Sequence, residues 1–230
     1  KRRADGDFVY YDLDTINREK QLTLLENGMP QALADGEFVV YFQPKVRVDT
    51  RTLVGAEALI RWKRDGKIIS PADFIPIAER NGFIMKLDMF VLEHTCAMIK
   101  QWQENGKRTV PVSVNFSKIH LRFPHLAEKI MNVINRYGIE PHYLEVEFTE
   151  TAYTDDFNAI KQAIIDLKSY GLMVSMDDFG TGYSSLALLK DLDFDILKLD
   201  KSLAGSDDDA RGQVVLENIL HMAQELSMTT

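Results

Sequence analysis

A chain of 230 residues with 45% hydrophobic and 27% charged side chains has the balance of one globular domain, or one domain plus a connector. That balance excludes collagen-like, low-complexity and disordered chains, and a formal charge of −8 excludes a sequence-blind grip on a nucleic-acid polymer, which needs a strongly basic face. No run of about 18 apolar residues is present, and the basic start Lys1-Arg2-Arg3 leads into Ala4-Asp5-Gly6-Asp7, not into the apolar stretch of a secretory signal. A cytoplasmic location is expected, any membrane tether of the parent protein lying outside this stretch.

In chain order, Val9-Tyr10-Tyr11 reads as a short β-like stub. From Asn17 to Leu33, the residues Leu22, Leu24, Leu25, Met29 and Leu33 recur at near-helical spacing, and Gly36 stops the pattern. This predicts a connecting helix ahead of a domain that begins at about residue 37. Six strand-like runs follow: Phe38 to Gln43, Val54 to Arg61, Val112 to Phe116, Leu144 to Thr149, Met173 to Asp177 and Ile196 to Leu199. Helical stretches fill the gaps. Ser70 is placed to cap one, with Pro71 at its first position and Asp73 in its first turn. Leu87, Val91, Met98 and Trp102 set the pattern of the next, in which Cys96 reads as a buried, inert thiol. Ile160, Ala163, Ile164 and Leu167 mark another, stopped by Gly171. Strands alternating with helices point to parallel strands with crossover helices, in an open doubly wound sheet or a (βα)₈ barrel.

Side-chain parity separates the two, because successive strand residues point to opposite faces. Leu144, Val146 and Phe148 form an apolar face and leave Glu145 and Glu147 on the other; Val112, Val114 and Phe116 oppose Ser113 and Asn115; Ala56, Ala58 and Ile60 oppose Glu57, Leu59 and Arg61. Asp177 and Lys198 extend the series. A sheet sandwiched between helices is apolar on both faces, whereas inward residues of a barrel converge at its C-terminal mouth, where catalytic groups sit.

Three carboxylates and one amide from four strand ends, Glu57, Asn115, Glu147 and Asp177, make an all-oxygen set suited to Mg²⁺ or Mn²⁺. A thiolate–imidazole site is not available, since no histidine sits at zinc-finger spacing from the single cysteine. Each residue alone reads as a solvated strand residue; their coincidence at matching strand ends favours the metal. Asp177-Asp178 can both face one site only if the strand ends there and the chain turns, as Gly180 and Gly182 permit, and such a pair could bridge two metals. Lys198 points to the same polar face, as a structural ion-pair partner or as a group acting on water or phosphate, and Arg61 shares the face of Glu57.

The runs Gln43-Pro44, Glu57-Ala58-Leu59-Ile60-Arg61-Trp62, Val114-Asn115-Phe116-Ser117, Glu147-Phe148-Thr149-Glu150, Asp177-Asp178-Phe179-Gly180-Thr181-Gly182-Tyr183-Ser184-Ser185 and Leu197-Lys198-Leu199-Asp200-Lys201-Ser202 together resemble the EAL domains, bacterial phosphodiesterases that linearise cyclic di-GMP. The resemblance implies an α/β fold of the TIM-like (βα)₈ barrel type with its first strand antiparallel, and a two-metal Mg²⁺ or Mn²⁺ site that opens one phosphodiester bond of cyclic di-GMP to give pGpG. It implies metal ligation by Glu57, Asn115, Glu147, Asp177 and Asp178, water handling by Lys198, ligand contacts from Gln43 and Arg61, and a loop-holding role for Glu150. A homodimer through the 177–185 region is implied as well. Residues 1–36 look like the tail of a GGDEF-type domain and its connecting helix, and 37–230 like an EAL domain. With six strand candidates against the eight of a closed barrel of about 250 residues, the barrel is expected to lack its last strands and a further metal-site glutamate. A non-catalytic cyclic di-GMP receptor is the alternative, and another Mg²⁺-dependent barrel enzyme a more distant one.

Overall fold

The structure is a computed structural model that describes residues 13–123, 125–149, 157–181, 185–204 and 210–230. The stub at Val9-Tyr10-Tyr11 and the Lys1-to-Asp7 segment lie outside these residues. The elements run α1 (Leu13–Ala34), β1 (Phe38–Val46), β2 (Leu53–Arg64), β3 (Lys67–Ile69), α2 (Pro71–Asn81), α3 (Ile84–Glu104), β4 (Val112–Asn115), a 3₁₀ turn (Lys118–Arg122), α4 (Leu126–Tyr137), β5 (Leu144–Thr149), α5 (Phe157–Ser169), β6 (Met173–Phe179), α6 (Ser185–Asp191), β7 (Ile196–Leu199) and α7 (Ala210–Glu225).

One sheet in the order β1-β2-β4-β5-β6-β7 carries the architecture. β1 pairs antiparallel with β2, and every later neighbour is parallel, as crossover helices require. The expected barrel order and its antiparallel first strand are both present, in a sheet that is not closed. Two strand pairings escaped the sequence reading. β3 forms a hairpin with β2 around Asp65-Gly66, both at positive φ, a turn whose flanking strand is only three residues long and carries no alternation to read. After α7, Thr229 pairs in parallel with Ile196, and its carbonyl accepts from Leu197 N–H at 2.8 Å.

The helix-facing apolar set builds the main core. Leu144, Val146 and Phe148 are fully buried, as are Val112 and Val114, against Leu92, Cys96 and Ile99 of α3, Ile130 and Ile134 of α4, and Leu167 of α5. Each such side chain contributes about 1.5–3 kcal/mol by leaving water. A second core holds Met29 and Ala32 of α1 against Phe38, Trp62, Phe74 and Ile77. Phe38 lies 4.9 Å from Trp62 between ring centroids, and Trp62 Nε1 donates to Glu37 Oε2 at 2.7 Å. The connecting helix is thus docked on the sheet, though Leu24, counted in its apolar pattern, is exposed.

Ser70 does precede α2 with Pro71 at the first position, but its hydroxyl makes no cap bond; its carbonyl accepts from Asp73 N–H instead. α5 buries Ile160, Ile164 and Leu167 and gives way to Gly171 at φ 80°, a left-handed stop.

Candidate metal centre

Parity and register together place the polar side chains. Glu57 lies level with Ser113, Asn115 with Glu147, and Asp177 with Thr149, so neighbouring inward residues differ in height by zero or two positions. A shift of one position would turn a side chain outward. The result is convergence: oxygen atoms of Glu57, Glu147 and Asp177 lie within 4.8 Å of one another. Asn115 Nδ2 donates to Glu57 Oε1 at 3.0 Å, which leaves its amide oxygen available beside the three carboxylates.

Lys198 enters this cluster from β7. Its Nζ lies 3.2 Å from Glu57 Oε2, 3.0 Å from Glu147 Oε1 and 2.9 Å from Asp177 Oδ2. Burial works to lower the pKa of Lys198, but the charges of Glu147, Asp177 and Glu57 outweigh it and hold the ammonium above its ordinary range. Burial likewise works to raise Glu147, and Lys45 and Lys198 outweigh it, so this carboxyl is held below its ordinary range.

Glu147 is completely buried, and among the described residues its Oε2 has no hydrogen-bond partner within 3.5 Å. An orphaned carboxylate oxygen in a dry site costs free energy unless a cation meets it. Together with an all-oxygen donor set, it fits a hard divalent cation.

Asp178 lies apart from the converging three. It follows Asp177 on β6, is exposed, and adopts φ 56°, where the pairing with β7 shifts register between Met176 and Phe179. The strand does not end at the Asp pair as expected; it runs on to Phe179, and the left-handed residue within it is Asp178 itself, with Gly180 following at φ 103°. Burial and then the neighbouring Asp177 raise the Asp178 carboxyl above its ordinary range.

Two clefts flank the cluster. One of about 410 Å³ is lined by Gln43, Glu57, Glu145 and Lys198, with Gln43 opposite Glu57 in register. The other, of about 240 Å³, is lined by Arg61, Asp88, Asn115, Ser117 and Thr149. Arg61 Nη1 donates to the Ile60 carbonyl at 2.8 Å, and its guanidinium lies 5.9 Å from the Tyr41 ring centroid, so its fork is held at the mouth. Glu150 and residues 182–184 lie outside the described residues, and with them the loop-holding contact and the middle of the 177–185 segment.

Lys45 escaped the sequence reading, which placed Glu145 on the inward face but gave it no role. Lys45 Nζ bonds Glu145 Oε2 at 3.0 Å and Glu147 Oε1 at 3.1 Å. The available signal was again parity, since Lys45 shares the inward face of Gln43, and Glu145 that of Glu147.

The family model of the EAL domain matches residues 26–230. The chain is 35% identical over 199 residues to the bifunctional diguanylate cyclase/cyclic di-GMP phosphodiesterase MucR of Pseudomonas aeruginosa, covering 84% of this chain and 29% of MucR. It is 32% identical over 217 residues to the cyclic di-GMP phosphodiesterase PA2567 of the same organism, covering 91% of this chain and 36% of that protein. The chain thus spans about a third of the length of these curated relatives. A solved structure of the PaMucR phosphodiesterase in complex with c-di-GMP superposes with a TM-score of 0.82 at 31% identity, over 89% of this chain and 83% of that one.

Proposed function

The chain belongs to the EAL domain family, and on that premise we propose that it hydrolyses one phosphodiester bond of cyclic di-GMP to give linear pGpG, using Mg²⁺ or Mn²⁺. The observation that carries this reading is the meeting of carboxylate oxygens of Glu57, Glu147 and Asp177 within 4.8 Å, with Glu147 completely buried. Glu57, Asn115, Glu147 and Asp177 are the proposed ligands, and Asp178 the proposed ligand of a second cation. Bound cations would supply an activated water and charge stabilisation at the phosphorus.

The remaining work falls to this chain's own side chains. Lys198, held by three carboxylates as an ammonium, orients the attacking water by donating to its oxygen from Nζ. Arg61 pairs with a phosphate oxygen through its planar fork, and Gln43 holds the ligand from the opposite cleft. Glu150 is proposed to hold the Asp177-to-Ser185 segment in its working position. The same proposal places an upstream GGDEF-like domain in the parent protein.

The test is to follow pGpG formation from cyclic di-GMP by chromatography with Mg²⁺ or Mn²⁺ present, in the wild type and in Glu57→Ala. Wild-type conversion that disappears in Glu57→Ala supports the reading. Saturable binding of cyclic di-GMP with no product in either metal overturns it in favour of a receptor.

A further inference from the structure

Beneath the proposed metal ligands lies a second layer of charge. Glu145 sits two residues before Glu147 on β5 and on the same inward face, with 3% of its surface exposed. By position and chemistry it is as able to take a cation as Glu147, yet Lys45 holds it. Lys45 Nζ lies 3.2 Å from Glu145 Oε1, 3.0 Å from Glu145 Oε2 and 3.1 Å from Glu147 Oε1. Both oxygens of Glu145 are occupied by one ammonium, while Oε1 of Glu147 is shared by Lys45 and Lys198 and its Oε2 has no partner among the described residues.

The backbone is shaped for this reach. Lys45 faces Gly55 across the β1–β2 pair, and a Cβ on Gly55 would stand 3.5 Å from Lys45 Cδ and 3.2 Å from the Pro111 carbonyl oxygen. The missing side chain leaves the lysine stem a path across the inner face. The charge count is consistent as well. Glu57, Glu145, Glu147 and Asp177 carry four negative charges against the two of Lys45 and Lys198, leaving the charge that one divalent cation neutralises.

We propose that Lys45 is a positioning residue: it withdraws Glu145 from metal ligation and, on the same oxygen that Lys198 bonds, pins Oε1 of Glu147, so that the Glu147 carboxylate keeps its orientation beside Glu57 and Asp177. The inference rests on the metal-site reading above and deepens it. It assigns the floor of the site to a lysine that touches neither substrate nor reacting atoms.

A charge-neutral double variant isolates this role. Lys45→Met alone strands a buried carboxylate and is expected to lower the melting midpoint. Lys45→Met/Glu145→Gln removes one charge of each sign, so the field at the metal site is preserved and the midpoint recovers. What the double variant still lacks is the bond from Lys45 to Glu147 Oε1, which Lys198 then holds alone. Mn²⁺ titration followed by electron paramagnetic resonance is expected to show affinity weakened on the order of ten-fold, the scale seen when a residue orienting a metal ligand is removed. kcat falls with it, while KM for cyclic di-GMP stays within about two-fold. Glu145→Gln alone, which keeps Lys45 on Glu147, stays close to wild type in Mn²⁺ affinity. Should the double variant melt too low to assay, Lys45→Gln/Glu145→Gln, two amides able to bond each other, carries the same test. Wild-type Mn²⁺ affinity and kcat in the charge-neutral variant would overturn the proposal and leave the metal site standing. Absence of Mn²⁺ uptake by the wild-type protein would overturn the metal-site reading, and this inference with it.

Discussion

Lys198 touches three carboxylates at once, and this makes binding and turnover separable. An ammonium that orients an attacking water acts mainly in the transition state, so Lys198→Ala is expected to lower kcat by about 10²–10⁴-fold while KM changes little. Steady-state kinetics check it, and a large rise in KM at constant kcat would assign Lys198 to the ligand grip instead. Cys96 is the contrasting case. Burial pushes its thiol up to about 12, and the side chain lies wholly inside the core between α3 and the sheet. A disulfide reagent at pH 8 is expected to leave Cys96 unmodified until denaturant is added, because only the thiolate attacks. Rapid labelling of the native protein would show that α3 opens without global unfolding.

At the scale of elements, the end of α5 is tied to the segment before β7. Lys168 Nζ lies 2.7 Å from Asp193 Oδ2 and 3.0 Å from Asp195 Oδ1, and Asp195 Oδ2 accepts from Val174 N–H on β6. Burial acts to lower the Lys168 pKa, but the bonds to Asp193 and Asp195 prevail and raise it above 10.5. Its contribution to stability is therefore complete below pH 10.5 and fades as pH rises through the higher folded value. Lys168→Met is expected to cost about 1 kcal/mol in urea melts at pH 7, and the difference from wild type should shrink at strongly alkaline pH. Gly180 is the second test at this scale. A Cβ there would stand 2.5 Å from Leu203 Cδ1, and φ is already 103°, so Gly180→Ala must displace the Leu203 side chain and strain the backbone at the end of β6. Loss of turnover together with a fall of about 1–3 kcal/mol in stability is expected. An alanine variant with wild-type kcat would show that the Asp177-Asp178 backbone tolerates that displacement.

For the whole molecule, the proposed cation would be a stabiliser as well as a reagent. Binding to the folded state alone contributes about 2.7 kcal/mol at a hundred times Kd, which for a domain of this size raises the melting midpoint by about 5–10 °C. Mg²⁺ and Mn²⁺ are expected to raise it and to support turnover, EDTA to reverse both, and Ca²⁺ to stabilise without turnover because it takes longer, looser coordination. Glu57→Ala/Asp177→Ala should abolish the metal-induced rise. Equal turnover in Ca²⁺ and Mg²⁺ would overturn the metal scheme.

Much of this molecule is written in local order. Strand parity alone put Glu57, Asn115, Glu147, Asp177 and Lys198 on one inward face, because alternation on a pleated strand is a covalent property that needs no partner to read. Helix spacing similarly located Leu87, Val91, Ile160, Ile164 and Leu167 in the core. Register, crossing contacts and local backbone strain belong to the assembled sheet. Leu24 fits the periodicity of α1, but only the docking of Met29 and Ala32 against Trp62 and Phe74 decides which stripe is buried. The left-handed turn at Asp178 depends on the shift of β6 against β7. Lys45 reaches Glu145 and Glu147 across 100 and 102 residues, a meeting that no window of sequence contains. Residue types and their faces follow from the chain's own geometry; which charged groups meet, and which oxygen is left free for a cation, follows from how far each strand slides along its neighbour before the core closes.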